Sequence, residues 1–218
     1  MKKLTGLLLI MVFMVTQSIA GTAVIKISTD ADAQIYVNGS LVSSGKAEIK
    51  VGKNSKVNVK VKKAGYLSEE RNYNNDGVMK LPKGEFITLQ KDASFESSST
   101  TDLANHDVDI KTDKTEEDAW KKLSSIITNT FDVIEVTDKS TGYLRTAWAV
   151  KKFGPVTIRT RLVIKTGNEN PLSYKVKIIS ERSETATSAR EDEKFETWDR
   201  LLRTYDNVIP EMQSRLAK

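Results

Sequence analysis

Apolar side chains recur at alternating steps of three and four residues along the last part of the chain, from about Glu193 to Leu216. This spacing places them on one face of an α-helix and predicts a long C-terminal helix. We expect the strand-like run from Phe131 to Arg182 to cover this face, and a free amphipathic helix for a membrane or a partner is the alternative. Pro210 lies within the stripe, so the helix should kink or break there. The stripe consists of Phe195, Trp198, Leu202, Tyr205, Ile209, Met212 and Leu216.

The pattern before this stripe predicts a helix followed by four strands, which together with the stripe form a domain over residues 115–218. Thr115 is a candidate N-cap, and the apolar positions from Ala119 to Ile127 form one helical face. Four apolar segments with short, turn-like connections follow, and they predict an antiparallel meander. The segments are Phe131 to Asp138, Tyr143 to Lys151, Val156 to Lys165 and Leu172 to Arg182.

Residues 21–92 show the two-residue alternation that is typical of half-buried strands. Val57, Val59 and Val61 share one side of a segment whose other side is mostly lysine. The Asn38-Gly39 pair predicts a two-residue hairpin turn, because both residue types tolerate a positive φ. Six short strands of this kind predict a small antiparallel β-sandwich, so the fold class that we expect for the whole chain is α+β.

Residues 93–114 separate these two regions and have a different composition. The segment contains a hydroxyl-rich run from Ser97 to Thr101 and carries five acidic and two basic side chains up to residue 115. Low hydrophobicity with net negative charge favours disorder, so we expect a flexible linker here.

Residues 1–20 have the pattern of a secretory signal peptide. Lys2 and Lys3 precede an apolar run from Leu7 to Val15, and Ser18-Ile19-Ala20 is a small-residue cleavage site. The run is too short to span a bilayer as a helix. We therefore expect an exported protein of the periplasm or the extracellular space, soluble, with no transmembrane segment in its mature chain.

The composition limits the covalent links and the partners that this protein can have. The chain contains no cysteine, so it can form no disulfide and cannot be a lipoprotein attached through that residue. Removal of Lys2 and Lys3 with the signal lowers the formal net charge from +5 to +3. A charge this small does not predict a nucleic-acid partner.

No catalytic or metal-binding pattern is apparent. His106 is the one histidine, and it lies among acidic residues of the predicted linker. The stretch Asn72 to Gly77 resembles the first half of a calcium loop, but Lys83 occupies the position of the expected glutamate. We expect no enzyme activity, no cofactor and no metal. A hydrolase of envelope polymer that acts through distant Asp and Glu residues is the alternative.

One set of residues is a candidate binding site. If the apolar positions of the middle strands face the helices, alternation places basic side chains together on the opposite face of the sheet. Arginine forks in such a set suit carboxylate or phosphate groups. The candidate residues are Tyr143, Arg145, Arg159, Arg161, Lys175 and Lys177.

The first strand decides how strongly this face is charged. Asp132 and Asp138 would neutralise the cluster if their side of the strand faces outward. If Phe131 and Val133 face outward instead, the positive charge is unopposed.

The segment Ile27 to Gly39, with its Tyr36-Val37-Asn38-Gly39 run, and the later stretch Val57 to Tyr66, with its closing Gly65-Tyr66, resemble the PEGA domain family. Asp30-Ala31-Asp32-Ala33 stands at the tetrad that names this family and matches only its last residue. The resemblance covers about residues 27–90. It implies a non-catalytic module that binds carbohydrate or protein at the cell envelope.

The region 115–218 resembles the helix-grip domains of small accessory lipoproteins in the outer-membrane β-barrel assembly machinery. Trp120 with Leu123, the turn and strand from Ser140 to Thr146, and the closing helix carry this resemblance. The lipid-accepting cysteine of those proteins is absent. This second resemblance implies an envelope location and protein binding. The function that we expect is an envelope scaffold or binding protein that recognises an envelope protein, a carbohydrate or an anionic polymer.

Overall fold

The computed structural model describes residues 21–217, so the predicted signal peptide lies outside the described residues. The chain forms two compact units, of which the first comprises residues 21–61 and 69–88 and the second 62–68 and 89 onward. Strands hold 47% of the residues and helices 17%. The strands form several sheets that are mostly antiparallel. The protein is therefore mainly β, in keeping with the expected α+β class. Residues 62–68, which we assigned to the first domain, belong to the second unit.

The first unit contains a three-stranded and a four-stranded sheet. Its strands are β1 (Ala23–Ser28), β2 (Gln34–Val37), β3 (Ser40–Ser44), β4 (Lys46–Val51), β5 (Lys56–Lys62), β6 (Glu69–Asn74) and β7 (Gly84–Phe86). Their orders are β4-β1-β7 and β3-β2-β5-β6. The pair β1 and β7 is parallel, contrary to the expectation that all strands are antiparallel.

The core of the first unit follows from alternation along its strands. Val57, Val59 and Val61 of β5 are buried, whereas the lysines between and beside them are exposed or half-buried. Asn38 and Gly39 have φ angles of 48° and 84°, which allow the tight turn between β2 and β3.

The second unit is built on one large sheet. Its elements are α1 (Ala93–Glu96), β8 (Ser98–Thr100), β9 (Val108–Lys111), α2 (Glu116–Thr130), β10 (Ile134–Asp138), β11 (Tyr143–Thr146), β12 (Ala149–Phe153), β13 (Val156–Glu169), β14 (Leu172–Ser183), β15 (Glu196–Thr197), β16 (Arg200–Leu202) and α3 (Val208–Leu216), with 3-10 turns at Asp192–Lys194 and Arg203–Tyr205. The sheet order is β10-β11-β13-β14-β15, and β12 also pairs with β13 and β9 with β14. Strands β9 and β15 were absent from the predicted four-stranded meander.

The core of the second unit lies on one face of this sheet. Apolar side chains of β13 and β14, among them Leu162 and Val176, pack in one cluster with α2 and α3. The hydroxyl of Thr115 accepts a hydrogen bond from the backbone N–H of Asp118 at 3.2 Å and caps α2 as expected. The basic side chains therefore occupy the opposite face.

The predicted helix from Glu193 to Leu216 is wrong over its first half. Residues 196–202 form β15 and β16, which pair with β14 and β8, and only Val208–Leu216 is α-helical. Trp198 and Leu202 are nevertheless buried. Pairing with neighbouring strands satisfies the backbone here as well as a helix would. Pro210 lies in the first turn of α3, where its missing N–H leaves no helical hydrogen bond unmade.

The prediction of a flexible linker at residues 93–114 is also wrong. This segment contains α1, β8 and β9, and Ile110 of β9 is 2% exposed in the core. Asp92, the residue just before the segment, caps α1 with its carboxylate, which also accepts a hydrogen bond from Arg182 at 2.9 Å. The composition of this segment indicated disorder, and that indication failed because the segment is ordered by partners that lie far along the chain.

Candidate basic binding face

Five of the six residues predicted for the basic face line one concavity on the outer side of the large sheet. These are Tyr143, Arg145, Arg161, Lys175 and Lys177; Lys165, Val163, Ile179 and Asp107 complete the lining. The concavity is open and has a volume of about 250 Å³. Antiparallel register brings the side chains together, since Tyr143 lies opposite Lys165, and Lys165 lies opposite Lys175.

The floor of the concavity is apolar. Val163 of β13 and Ile179 of β14 are half-buried and lie among the cations. Val163 lies opposite Arg145 on one neighbouring strand and opposite Lys177 on the other. The site is therefore a small apolar patch with a positively charged rim.

Arg159 is on the same face but is not available for a ligand. Its side chain is 4% exposed, and its guanidinium donates hydrogen bonds to Glu181 at 2.6 Å and to Asp192 at 2.6 Å. It also donates to the carbonyl of Ala189, and it lies over the ring of Phe195 at 4.0 Å. The segment 184–195 thus covers Arg159, and its assignment to the binding face is corrected to a structural one.

Trp148 lies on the basic face, although unbroken alternation from Leu144 would point it to the core. Arg145 pairs with Val163 but Ala149 pairs with Thr160, so the register shifts by one residue between β11 and β12. A one-residue shift moves every later side chain to the other face. The guanidinium carbons of Arg159 and Arg161 lie 4.3 Å and 4.0 Å from the centre of the indole ring.

Arg161 is the most buried of the cations on this face that make no salt bridge in the described chain. It makes no salt bridge within residues 21–217, and its Nε is buried without a hydrogen-bond partner. Burial, and then the positive charge of Arg145, lower the pKa of its guanidinium. An arginine always keeps its charge in a protein, and the Trp148 ring with the more distant Glu181 offsets only part of the cost of its burial. A bound anion would offset the rest.

Two carboxylates neutralise part of the rim, and neither was predicted. Glu135 accepts a hydrogen bond from Arg145 at 3.0 Å, and Asp107 lies 3.2 Å from Lys177. Glu135 reaches the outer face because β10 has a register shift between Ile134 and Val136. Asp107 comes from the segment that was predicted as a linker.

Neither alternative for the first strand is correct as stated. Phe131 is 2% exposed and packs in the core, so it does not face outward. Asp138 lies opposite Tyr143, but its carboxylate accepts hydrogen bonds from Ser140 and Thr141 of the following turn. These bonds lower the pKa of Asp138. Three cations of the rim make no salt bridge in the described chain: Arg161, Lys165 and Lys175.

The remaining sequence motifs form no site of this kind. No group of three or more His, Asp or Glu residues in the described ranges is placed to hold a metal ion. Within residues 21–217, no helix has the length and apolar character to cross a membrane.

No protein-family model and no curated protein sequence matches the chain.

Proposed function

We propose that this protein is a non-catalytic binding protein of the cell envelope that holds an anionic polymer on the basic face of its second unit. The observation that carries this proposal is the open concavity in which five cations surround an apolar floor with one carboxylate in the lining. An open rim with distributed cations suits an extended chain of charges better than one compact anion.

The proposal extends to the architecture of the two units and to the families that they resemble. The first unit acts as a PEGA-like β-sandwich, and the second as a helix-grip-like domain in which a meander is packed by two helices. The two resemblances and the signal-like residues 1–20 support an exported protein that recognises an envelope carbohydrate or protein. Between these two partners, the apolar floor favours a polymer of acidic sugars, because sugar rings present apolar faces between their charges.

Binding to a uronate polymer, with neutral dextran as the control polymer, tests this proposal. We expect binding to the uronate alone, and we expect it to weaken as the salt concentration rises. Poly-glutamate is a third probe, and preference for it over the uronate would indicate an acidic protein surface as the partner.

The variant Lys165→Glu/Lys175→Glu tests the site. These two lysines are exposed and lie opposite each other, so the double reversal replaces one like-charge pair with another and should leave the fold intact. We expect at least about a tenfold loss of affinity for the uronate polymer, equivalent to about 1.4 kcal/mol. Lys151→Glu/Lys152→Glu on β12 makes the same change in net charge and should bind within about twofold of the parent. Equal affinity of the two variants would contradict the proposal.

A further inference from the structure

The loop between β6 and β7 in the first unit exposes an unusual amount of apolar surface. Val78 and Met79 at its tip are 83% and 77% exposed. Val24 of β1 is 45% exposed and, with Leu81 and Pro82, borders the same open groove. Exposed apolar side chains that cluster in this way mark an interaction surface more often than isolated ones do.

Hydrogen bonds fix both ends of this loop, so its apolar tip projects into solvent. The Asn75 side chain donates hydrogen bonds to the carbonyl of Val51 at 2.9 Å and to that of Gly21 at 2.7 Å. The Asp76 carboxylate accepts a hydrogen bond from the backbone N–H of Val78 at 2.8 Å, which shapes the turn. The backbone N–H of Lys26 donates to the carbonyl of Lys83 at 3.1 Å and fixes the other end of the loop.

The charges beside the tip are mainly positive. Lys80 and Lys83 border the groove, and the side chain of Lys53 packs against Gly21 at the base of the loop. Asp76 is the one acidic residue of the loop, and its carboxylate is engaged by Val78 and by the Asn74 side chain at 2.8 Å. Apolar residues at a tip with lysines behind them are complementary to an anionic lipid surface, where the tip enters the acyl boundary and the lysines meet the headgroups.

We propose that the loop from Asp76 to Lys83 is a membrane-docking loop that inserts Val78 and Met79 into the interface of an anionic membrane. This interaction is independent of the basic face of the second unit. It would hold the protein at a membrane surface.

Vesicle binding by residues 21–218 tests the proposal. This chain contains both compact units and omits the apolar run, which would bind vesicles by itself. We expect co-sedimentation with vesicles of phosphatidylcholine and phosphatidylglycerol in a 3:1 ratio, and at least about tenfold weaker binding to phosphatidylcholine alone, since each lysine near an anionic surface contributes about fivefold.

Three pairs of variants locate the contact. Val78→Ser/Met79→Ser and Lys80→Glu/Lys83→Glu should each weaken vesicle binding at least about tenfold. Val133→Ser/Val150→Ser and Lys151→Glu/Lys152→Glu in the second unit are the matched controls and should bind as the parent does. Lys165→Glu/Lys175→Glu should also keep vesicle binding, and its loss there would assign the membrane contact to the basic face and overturn the proposal.

A label at the tip measures insertion directly. The chain has no cysteine, so Met79→Cys carries a single environment-sensitive fluorophore. We expect its emission to shift to the blue on anionic vesicles and that of labelled Val133→Cys to stay unchanged. An unshifted Met79 label would overturn the proposal. So would a concentration-dependent dimer of the parent that Val78→Ser/Met79→Ser abolishes, because a second copy would then be the occupant of the tip.

Discussion

Arg159 and Arg161 are two residues apart on β13 and point to the same side of the sheet, yet they have different roles. Arg159 is enclosed by Glu181, Asp192 and two aromatic rings, whereas Arg161 contacts Trp148 and makes no salt bridge in the described chain. The first arginine therefore stabilises the fold, and the second is a candidate for ligand binding.

We predict that Arg159→Met destabilises the second unit by about 2–3 kcal/mol. Loss of one partner of a buried ion pair costs about 3–5 kcal/mol, and the estimate is reduced because Asp192 is largely exposed and can be solvated. Lys165→Met on the same strand is the control, and its free energy of unfolding should stay within about 0.5 kcal/mol of the parent. Urea denaturation measures both values. Similar stability of the two variants would show that the enclosure of Arg159 contributes little.

At the scale of elements, the segment after β14 stabilises the second unit without forming the long helix. Trp198 is 8% exposed and packs with Val156, Ile158 and Leu202 in a small cluster separate from the main core. Its backbone N–H donates a hydrogen bond to the carbonyl of Ser180 at 2.9 Å, which attaches the segment to β14. The apolar stripe thus marks burial for most of its residues, which reach the interior from β16 and the residues just before it, a 3-10 turn and one short helix. Phe195 is the exception, because it lies over Arg159 on the outer face of the sheet.

We predict that Trp198→Ala is among the most damaging single changes in the second unit, with a loss of about 3–5 kcal/mol, because the small cluster would lose its largest member. Tryptophan at position 148 offers a comparison, since it is half-buried and lies outside the core clusters. Trp148→Ala should cost less than half as much. Thermal unfolding followed by circular dichroism measures both, and a Trp198→Ala variant that melts within a degree or two of the parent would refute this.

At the scale of the whole molecule, the second unit depends on residues that lie well before α2. β9 pairs with β14 and places Ile110 in the core, and β8 pairs with β16. Arg200 donates hydrogen bonds to Ser98 and lies over the ring of Phe95 at 3.8 Å. Apart from residues 62–68, the second unit therefore begins near residue 89 and not at residue 115.

We predict that a fragment of residues 89–218 folds and that a fragment of residues 116–218 does not. The shorter fragment lacks β8 and β9, so it exposes the edge of β14 and leaves the space of Ile110 empty. Dispersed amide signals in a proton–nitrogen correlation spectrum are expected from the longer fragment only. A well-dispersed spectrum from residues 116–218 would contradict this division of the chain.

The sequence by itself determined which side chains share a face along a continuous strand, because that depends only on the two-residue period of extended backbone. Arg161, Lys175 and Lys177 were placed together for this reason. The side to which Trp148 points depended on a register shift between β11 and β12, and such a shift leaves no mark in the alternation itself.

Only the tertiary structure decided which cations remain available to a ligand. Arg159 and Arg161 have the same chemistry and the same local pattern, but the acceptors of Arg159 lie 22 to 33 residues further along the chain. Likewise, the partner of Lys177 is Asp107, in a segment whose composition indicated disorder. Contacts over such separations form when the whole domain folds, and the local sequence around either partner does not specify them.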